Sequence, residues 1–220
     1  MADLKPGEPV ALGYEAVPAG GEGPGVLVLH AWWGLNDFIR GLCDRLAEAG
    51  FVAVAPDLWG GVVSTAIDDA RSLVDQHDGA AIEVAVNLAL DHLHDHPAVG
   101  GRPLGALGFS FGAAWALALS AKRPDDIRAV TVFYGSYDPD FSQSQAAYQG
   151  HFAETDLYEP EEYMAQMEAA LRAADRPVTI YRYPGTSHWF CESDRPDAYN
   201  PEAADLAWDR TITFLREHLQ

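Results

Sequence analysis

The stretch that decides the fold runs from residue 104 to residue 112 and reads Leu-Gly-Ala-Leu-Gly-Phe-Ser-Phe-Gly. Residues 104–109 are apolar and glycine-rich, which is typical of a strand that is buried on both faces. Residues 111–122 are rich in alanine and leucine and predict a helix. Ser110 therefore stands at a tight turn from a strand into a helix.

The turn carries the pattern Gly-x-Ser-x-Gly, in which the serine is expected to be a nucleophile. Gly108 and Gly112 are small enough to let the strand and the helix approach each other closely. The turn lifts the hydroxyl of Ser110 above the sheet, and the N-terminus of the helix favours negative charge beside it. We predict that Ser110 is a catalytic nucleophile. The alternative is an inert serine in a glycine-rich turn.

Strands and helices alternate on both sides of this turn. The other predicted strands cover residues 10–17, 26–30, 51–55, 129–134, 147–153 and 178–183. The other predicted helices cover residues 36–49, 80–94, 160–173 and 201–218. One more helix is predicted to begin at residue 64 or 65 and to be interrupted by Gly79. This alternation predicts an α/β fold with a mostly parallel central sheet and helices on both faces. Ligands bind beyond the carboxyl ends of the strands in such sheets.

A nucleophilic serine needs a base, which in this fold class is a histidine that follows the acid in the chain. His188 comes after the strand predicted at 178–183 and before the last helix, and we predict that it is the base. Two other histidines follow Ser110 but are less suitable. His151 falls within a predicted strand, and His218 falls inside the last helix.

The orienting acid should follow the strand predicted at 147–153. Glu154, Asp156 and Glu159 all lie there, and we predict that Asp156 is the acid. Asp138, one strand earlier, is the alternative. The non-catalytic interpretation of either aspartate is a solvated loop carboxylate or a helix cap.

The backbone amides of Trp32 and Phe111 are predicted to form an oxyanion hole. Trp32 follows the strand predicted at 26–30, and Phe111 follows Ser110. Three aromatic side chains are predicted to line the substrate pocket, those of Trp33, Phe109 and Trp189. The side chains of Trp32 and Trp33 are both suited to the wall of the pocket and are equally suited to packing in the core or at an interface.

Short motifs along the chain occur in the order that is typical of one known family. They are residues 26–36, 46–51, 54–58, 108–112, 132–135 and 183–185, with Asp156, His188 and Phe190. In these motifs the chain resembles the dienelactone hydrolase family of α/β-hydrolases over nearly its whole length. The resemblance implies one domain over residues 1–220 with the three-layer α/β-hydrolase fold, without a large cap, that hydrolyses esters or lactones.

The chain departs from this family's pattern at three positions. The best-known members have cysteine as the nucleophile and glutamate in the oxyanion loop, where this chain has Ser110 and Ala31. Members that act on anionic dienelactones have arginine four residues after the catalytic histidine, where this chain has Glu192. With these departures, the resemblance implies a serine esterase that acts on a neutral acyl compound.

The charge of the chain restricts its partners. Fourteen Lys and Arg residues against 33 Asp and Glu residues give a net charge of −19, which repels phosphate backbones and anionic lipid. We therefore expect a small-molecule acyl substrate, and neither nucleic acid nor membrane as a partner. The start, residues 1–7, lacks the basic and apolar pattern of a signal peptide, and two cysteines are too few for a disulfide framework. We expect a cytoplasmic monomer or homodimer.

No cofactor and no metal ion are expected. His92 and His96 have the i, i+4 spacing of some zinc ligands, but Pro97 ends the helix there, and histidine is favourable near a helix C-terminus. Cys43 and Cys191 are interpreted as packing residues. The sequence contains neither a P-loop nor a dinucleotide-binding fingerprint.

These observations predict a triad of Ser110, Asp156 and His188 that cleaves a carboxylic ester or lactone through an acyl-enzyme intermediate. One alternative is a non-catalytic binding protein on the same scaffold. Another is an acyltransferase or lyase that uses the same triad.

Overall fold

The computed structural model describes residues 10–220, with side chains from residue 13 onward. Residues 1–7, predicted not to be a signal peptide, lie outside the described residues. The chain divides into two compact units, Met1–Arg102 and Pro103–Gln220. The expectation of one domain over residues 1–220 without a large cap stays a prediction.

The first unit contains three strands in the order β1-β3-β2, with β1 antiparallel and β2 parallel to β3. The strands are β1 (Val10–Ala16), β2 (Gly25–Leu29) and β3 (Val52–Asp57). The helices are α1 (Asp37–Glu48), α2 (Ile67–Gln76) and α3 (Gly79–His94). Every residue of β2 and β3 is buried, as their continuous apolar runs predict.

The second unit contains four parallel strands in chain order. The strands are β4 (Leu104–Phe109), β5 (Ile127–Phe133), β6 (Ala147–Ala153) and β7 (Val178–Tyr183). The helices are α4 (Phe111–Lys122), α5 (Glu161–Ala173) and α6 (Pro201–Leu219). Because the four strands are parallel, the segments that follow them leave from the same edge of the sheet.

Most predicted boundaries in the first unit agree with the structure to within one residue, and two differ by more. The strand predicted at 51–55 continues to Asp57, because β1 lies beside it and Asp57 pairs with Val10. The helix predicted from 64 or 65 begins only at Ile67. The hydroxyl of Ser64 makes hydrogen bonds to the backbone of Ala66, and this local turn competes with helix formation.

Among residues 10–220, no helix combines the length and the apolar character that crossing a bilayer requires.

Candidate active site

Ser110 occupies a strained turn between β4 and α4. Its φ of 48° is positive, which is rare for a residue other than glycine. A Cβ on Gly108 would lie 2.5 Å from the carbonyl oxygen of Gly112, and a Cβ on Gly135 would lie 2.5 Å from that of Ser110. The amide of Ser110 also donates to the carbonyl of Phe133 over 2.9 Å. Close backbone packing on both sides thus holds the strained conformation in place.

The structure brings the three predicted triad residues together. The Oγ of Ser110 lies 2.8 Å from Nε2 of His188, and Nδ1 of His188 lies 2.7 Å and 2.9 Å from the two carboxylate oxygens of Asp156. The side chains of His188 and Asp156 are only 4% and 8% exposed. Because the carboxylate accepts the proton of Nδ1, Nε2 is left to accept the proton of the serine hydroxyl.

The loop after β6 fixes the carboxylate of Asp156. Its Oδ1 also accepts hydrogen bonds from the amides of Tyr158 and Glu159, over 2.8 Å and 2.9 Å. The amide of Thr155 donates to the carbonyl of Thr186, which lies in the loop that carries His188. The acid and the base are therefore held on two loops that are hydrogen-bonded to each other.

The other candidates for the acid, Asp138, Glu154 and Glu159, do not contact His188 in the contacts that the structure shows. Asp138 is exposed in the segment after β5. Glu154 accepts a hydrogen bond from the amide of Gly185 over 2.9 Å. Glu159 accepts one from the hydroxyl of Ser136, and burial raises its pKa. Glu154 and Glu159 thus stabilise loops by hydrogen bonds, whereas Asp156 is hydrogen-bonded to His188.

Three aromatic rings surround the imidazole of His188. The ring centroids of Trp189, Tyr134 and Tyr158 lie 4.8, 4.9 and 5.2 Å from that of His188. Trp189, predicted to line the pocket, thus packs against the base itself. Tyr134 and Tyr158 were not predicted as contacts of His188, although the Tyr-Gly pair at 134–135 was one of the family motifs.

The other two predicted pocket residues are packed in the cores of their units. Phe109 is buried and stacks on Phe133, with centroids 4.5 Å apart and planes 10° from parallel. Trp33 is buried in the first unit. Packing is the role that the structure shows for both, and their contact with substrate stays a prediction.

Glu192 is buried, with 1% exposure, and accepts a hydrogen bond from the hydroxyl of Tyr134 over 2.9 Å. Burial raises the pKa of its carboxyl to about 8, and Asp194 also raises it, whereas the Tyr134 hydrogen bond and Arg195 lower it. The carboxyl is therefore mainly protonated at neutral pH. At that pH Glu192 therefore adds little negative charge at the position where anion-binding members of the family have arginine.

The two predicted oxyanion donors lie in different units. Phe111 is the first residue of α4, and backbone N–H groups of a first helical turn point out of the helix. Trp32 lies in the segment after β2, and its carbonyl accepts a hydrogen bond from Nε1 of Trp59 over 2.9 Å. Donation by these two amides to an oxyanion stays a prediction.

A cavity of about 240 Å³ lies beside Asp156. Its lining includes the carboxylates of Glu154, Glu159 and Glu161 but neither Ser110 nor His188. Since the nucleophile does not border it, this cavity is not where the acyl group would react.

His92 and His96 lie close to Glu15 of β1, with ligand-type atoms all within 4.8 Å of one another. Nε2 of His92 is 2.7 Å, and Nε2 of His96 is 3.4 Å, from the Glu15 carboxylate. The amide of Ala98 donates to Nδ1 of His96 over 3.1 Å, which places the proton of the neutral ring on Nε2, facing Glu15. A protonated Nε2 cannot bind a metal, so the geometry favours a hydrogen-bonded cluster.

Both cysteines are buried. Burial raises the pKa of Cys43 to about 12, and Asp44 also raises it, so this thiol stays protonated. Its environment agrees with the packing role that we predicted.

A serine on a strand-to-helix turn, with an acid and a base on the segments after two later parallel strands, is the arrangement of an α/β-hydrolase. The family model described as the dienelactone hydrolase family matches residues 12–219, and the chain belongs to that family.

Curated relatives and a solved structure agree with this assignment. The chain is 31% identical over 216 residues to "Protein usf" of Aquifex pyrophilus, and the alignment covers 94% of this chain and 93% of that protein. It is also 31% identical over 225 residues to the "Probable 2-oxo-3-(5-oxofuran-2-ylidene)propanoate lactonase" of a Bradyrhizobium species, covering 94% and 90% of the two chains. A dienelactone hydrolase-like promiscuous phosphotriesterase from metagenomic libraries superposes with a TM-score of 0.85 at 24% identity, covering 94% and 92%. That structure shows the three-layer α/β fold, and the family and the named relatives identify the chain as a carboxylic ester hydrolase that acts on an ester or a lactone.

Proposed function

We propose that the chain is a serine hydrolase that cleaves a neutral carboxylic ester or lactone through an acyl-enzyme intermediate. The observation that carries the proposal is the 2.8 Å contact between Ser110 Oγ and His188 Nε2, with Asp156 bound to the opposite nitrogen. Ser110 is the nucleophile, His188 is the general base and then the general acid, and Asp156 orients the imidazole.

The proposed reaction proceeds in two halves. The Oγ of Ser110 attacks the carbonyl carbon while its proton passes to Nε2 of His188, and Asp156 stabilises the imidazolium. The backbone N–H groups of Phe111 and Trp32 donate to the oxyanion. The imidazolium then protonates the leaving alkoxide, and water attacks the acyl-enzyme by the same steps in reverse. No cofactor takes part.

The preference for a neutral substrate is supported by the net charge of −19. Glu192 does not support it at neutral pH, because its carboxyl is mainly protonated. A cytoplasmic location and a monomeric or homodimeric state remain predictions from the sequence.

The test is a panel of neutral acyl esters of graded chain length, assayed with the wild type, Ser110→Ala and Ser142→Ala. Ser142 is an exposed serine of the same unit and serves as the matched control. We expect Ser110→Ala to lower kcat by at least ~10³-fold and the control to leave it unchanged, since a triad serine contributes about 10⁶-fold in a serine protease. Unchanged turnover in Ser110→Ala would refute the mechanism, and a wild type that binds esters without turning them over would indicate a binding protein.

A further inference from the structure

Three consecutive carbonyl groups are held in residues 31–34, which we call the Trp32 loop. The carbonyl of Ala31 accepts from Nδ1 of His30 over 2.6 Å and more weakly from the amide of Gly34 over 3.2 Å. The carbonyl of Trp32 accepts from the indole of Trp59 over 2.9 Å. The carbonyl of Trp33 accepts from the amide of Ser64 over 2.8 Å. The Trp32 loop is therefore fixed from within the first unit, by His30 on one side and by residues 59–64 on the other.

The hydrogen bonds of His30 determine which of its nitrogens carries the proton. The amide of Leu58 donates to Nε2 of His30 over 3.1 Å, so Nε2 is an acceptor without a proton. The proton of the neutral ring is then on Nδ1, where it faces the carbonyl of Ala31. His30 is fully buried, and burial lowers its pKa to about 4, so the ring keeps this neutral form over the ordinary working range of pH.

The bond from His30 to Ala31 controls the direction of the next amide. The C=O and N–H of a trans peptide point in opposite directions from the same plane, and the described residues contain no cis peptide bond. When the carbonyl of Ala31 is held by His30, the N–H of Trp32 is held pointing the other way. A donor fixed before the reaction stabilises an oxyanion without a reorganisation cost.

We propose that His30 is a positioning residue that holds the amide of Trp32 in the orientation that receives the oxyanion. The inference rests on the proposed function, which assigns that amide to the oxyanion hole. His30 itself does not touch the substrate in this proposal. It acts through the shorter of the two hydrogen bonds to the peptide that joins Ala31 to Trp32, the other being donated by Gly34.

Two variants of His30 separate this role from general stability. Asn places an amide N–H₂ where Nδ1 stands and can still donate to the carbonyl of Ala31. Leu has the same branched shape but no donor, and both variants lose the acceptor for the amide of Leu58. His151→Gln is the control, because His151 is also fully buried, with a pKa that burial lowers to about 3, and it belongs to β6 of the second unit.

The measurement is the ratio of kcat/KM for an oxygen ester to that for the matching thiono ester, whose C=S group is a weak hydrogen-bond acceptor. The ratio is independent of the fraction of folded enzyme, because that fraction cancels. We expect His30→Leu to lower the ratio at least tenfold, and His30→Asn and His151→Gln to keep it within about threefold of the wild type.

An unchanged ratio in His30→Leu would overturn the inference, as would equal losses in the Asn and Leu variants. If His30→Leu does not fold, His30→Gln replaces it, since its amide reaches the Nε2 position and leaves the carbonyl of Ala31 with the amide of Gly34 but without a side-chain donor. Failure of the proposed function looks different. In that case the wild type does not hydrolyse the oxygen ester at all, or Ser110→Ala hydrolyses it equally well.

Discussion

Asp156 and Asp138 provide a test of the acid at the level of single residues. Asp156 contacts His188, whereas Asp138 is exposed. Asp156→Asn should lower kcat by on the order of 10⁴-fold, because the amide cannot hold the required imidazole tautomer. Asp138→Asn should change kcat less than twofold. A larger effect of Asp138→Asn, measured with the same ester, would mean that the acid follows β5.

Glu192 makes stability depend on pH in a direction that can be derived. The pKa of its carboxyl is about 8 in the folded protein against 4.5 for the free side chain, so the folded state binds more protons between these values. This stabilisation is fully present below about pH 4.5 and is lost as the pH rises through about 8. The free energy of unfolding of the wild type should therefore fall relative to that of Glu192→Gln between pH 5 and pH 9, by up to ~1.4 kcal/mol per pH unit.

Urea unfolding of both proteins across that range gives the comparison, and the Gln variant cancels the effects of all other titrating groups. Stability curves that stay parallel would show that Glu192 is ionised in the folded protein. Glu192 would then carry a negative charge at neutral pH, and this charge would disfavour anionic substrates.

The triad residues were predictable because each has a local signal. Ser110 lies in a recognisable motif, and His188 and Asp156 follow strands that their apolar patterns reveal. The hydrogen bond between Tyr134 and Glu192 had no such signal, since it joins residues 58 positions apart on different segments. The side-chain donor of His30 was missed for a related reason, because its partners depend on backbone geometry that sequence patterns do not encode.

At the level of elements, the junction of β4 and α4 depends on Gly108. A methyl group there would lie 2.5 Å from the carbonyl of Gly112 and 2.6 Å from Cα of Ala113, both backbone atoms that cannot move independently. Gly108→Ala should therefore lower the free energy of unfolding by ~1–3 kcal/mol and displace the nucleophile.

Gly41, inside α1, is the matched control, because a Cβ there meets no atom within 4 Å. Gly41→Ala should raise stability by up to ~1 kcal/mol, since alanine is the better helix former. Chemical unfolding measures both changes. Similar stabilities for the two variants would mean that the strand and helix are not packed as closely as the structure shows.

Element boundaries were less predictable than the elements themselves. The runs at 104–109, 147–153 and 178–183 correspond to β4, β6 and β7 without change. β4 and β6 are buried throughout, whereas β7 is partly exposed but rich in β-branched and aromatic residues, which favour strands. Asp57 was placed outside β3 because a proline precedes it, and only pairing with β1 extends the strand that far. Such pairing is a non-local interaction that one segment does not reveal.

At the level of the whole molecule, the net charge of −19 should influence substrate choice. For a matched pair of esters, one neutral and one with a free carboxylate, kcat/KM should favour the neutral ester at low salt. The preference should decrease as the ionic strength rises above about 0.1 M, where the screening length is about 10 Å.

Equal values for the two esters, or a preference for the anion, would mean that a cation reaches the bound substrate. Arg195 is the one to test by substitution with Gln, because its guanidinium carbon lies 5.3 Å from the ring of Trp189, which packs against His188. The substrate itself was not predictable from the sequence, since loops of irregular structure form the surroundings of the nucleophile.

The central claim is that Ser110 is the nucleophile that His188 activates, and covalent labelling tests it most directly. A fluorophosphonate reacts with an activated serine hydroxyl, and peptide mass spectrometry locates the adduct. We expect one label per wild-type chain, on Ser110, and none on Ser110→Ala. A wild type that stays unlabelled, or a label on another residue such as Cys191, would contradict it.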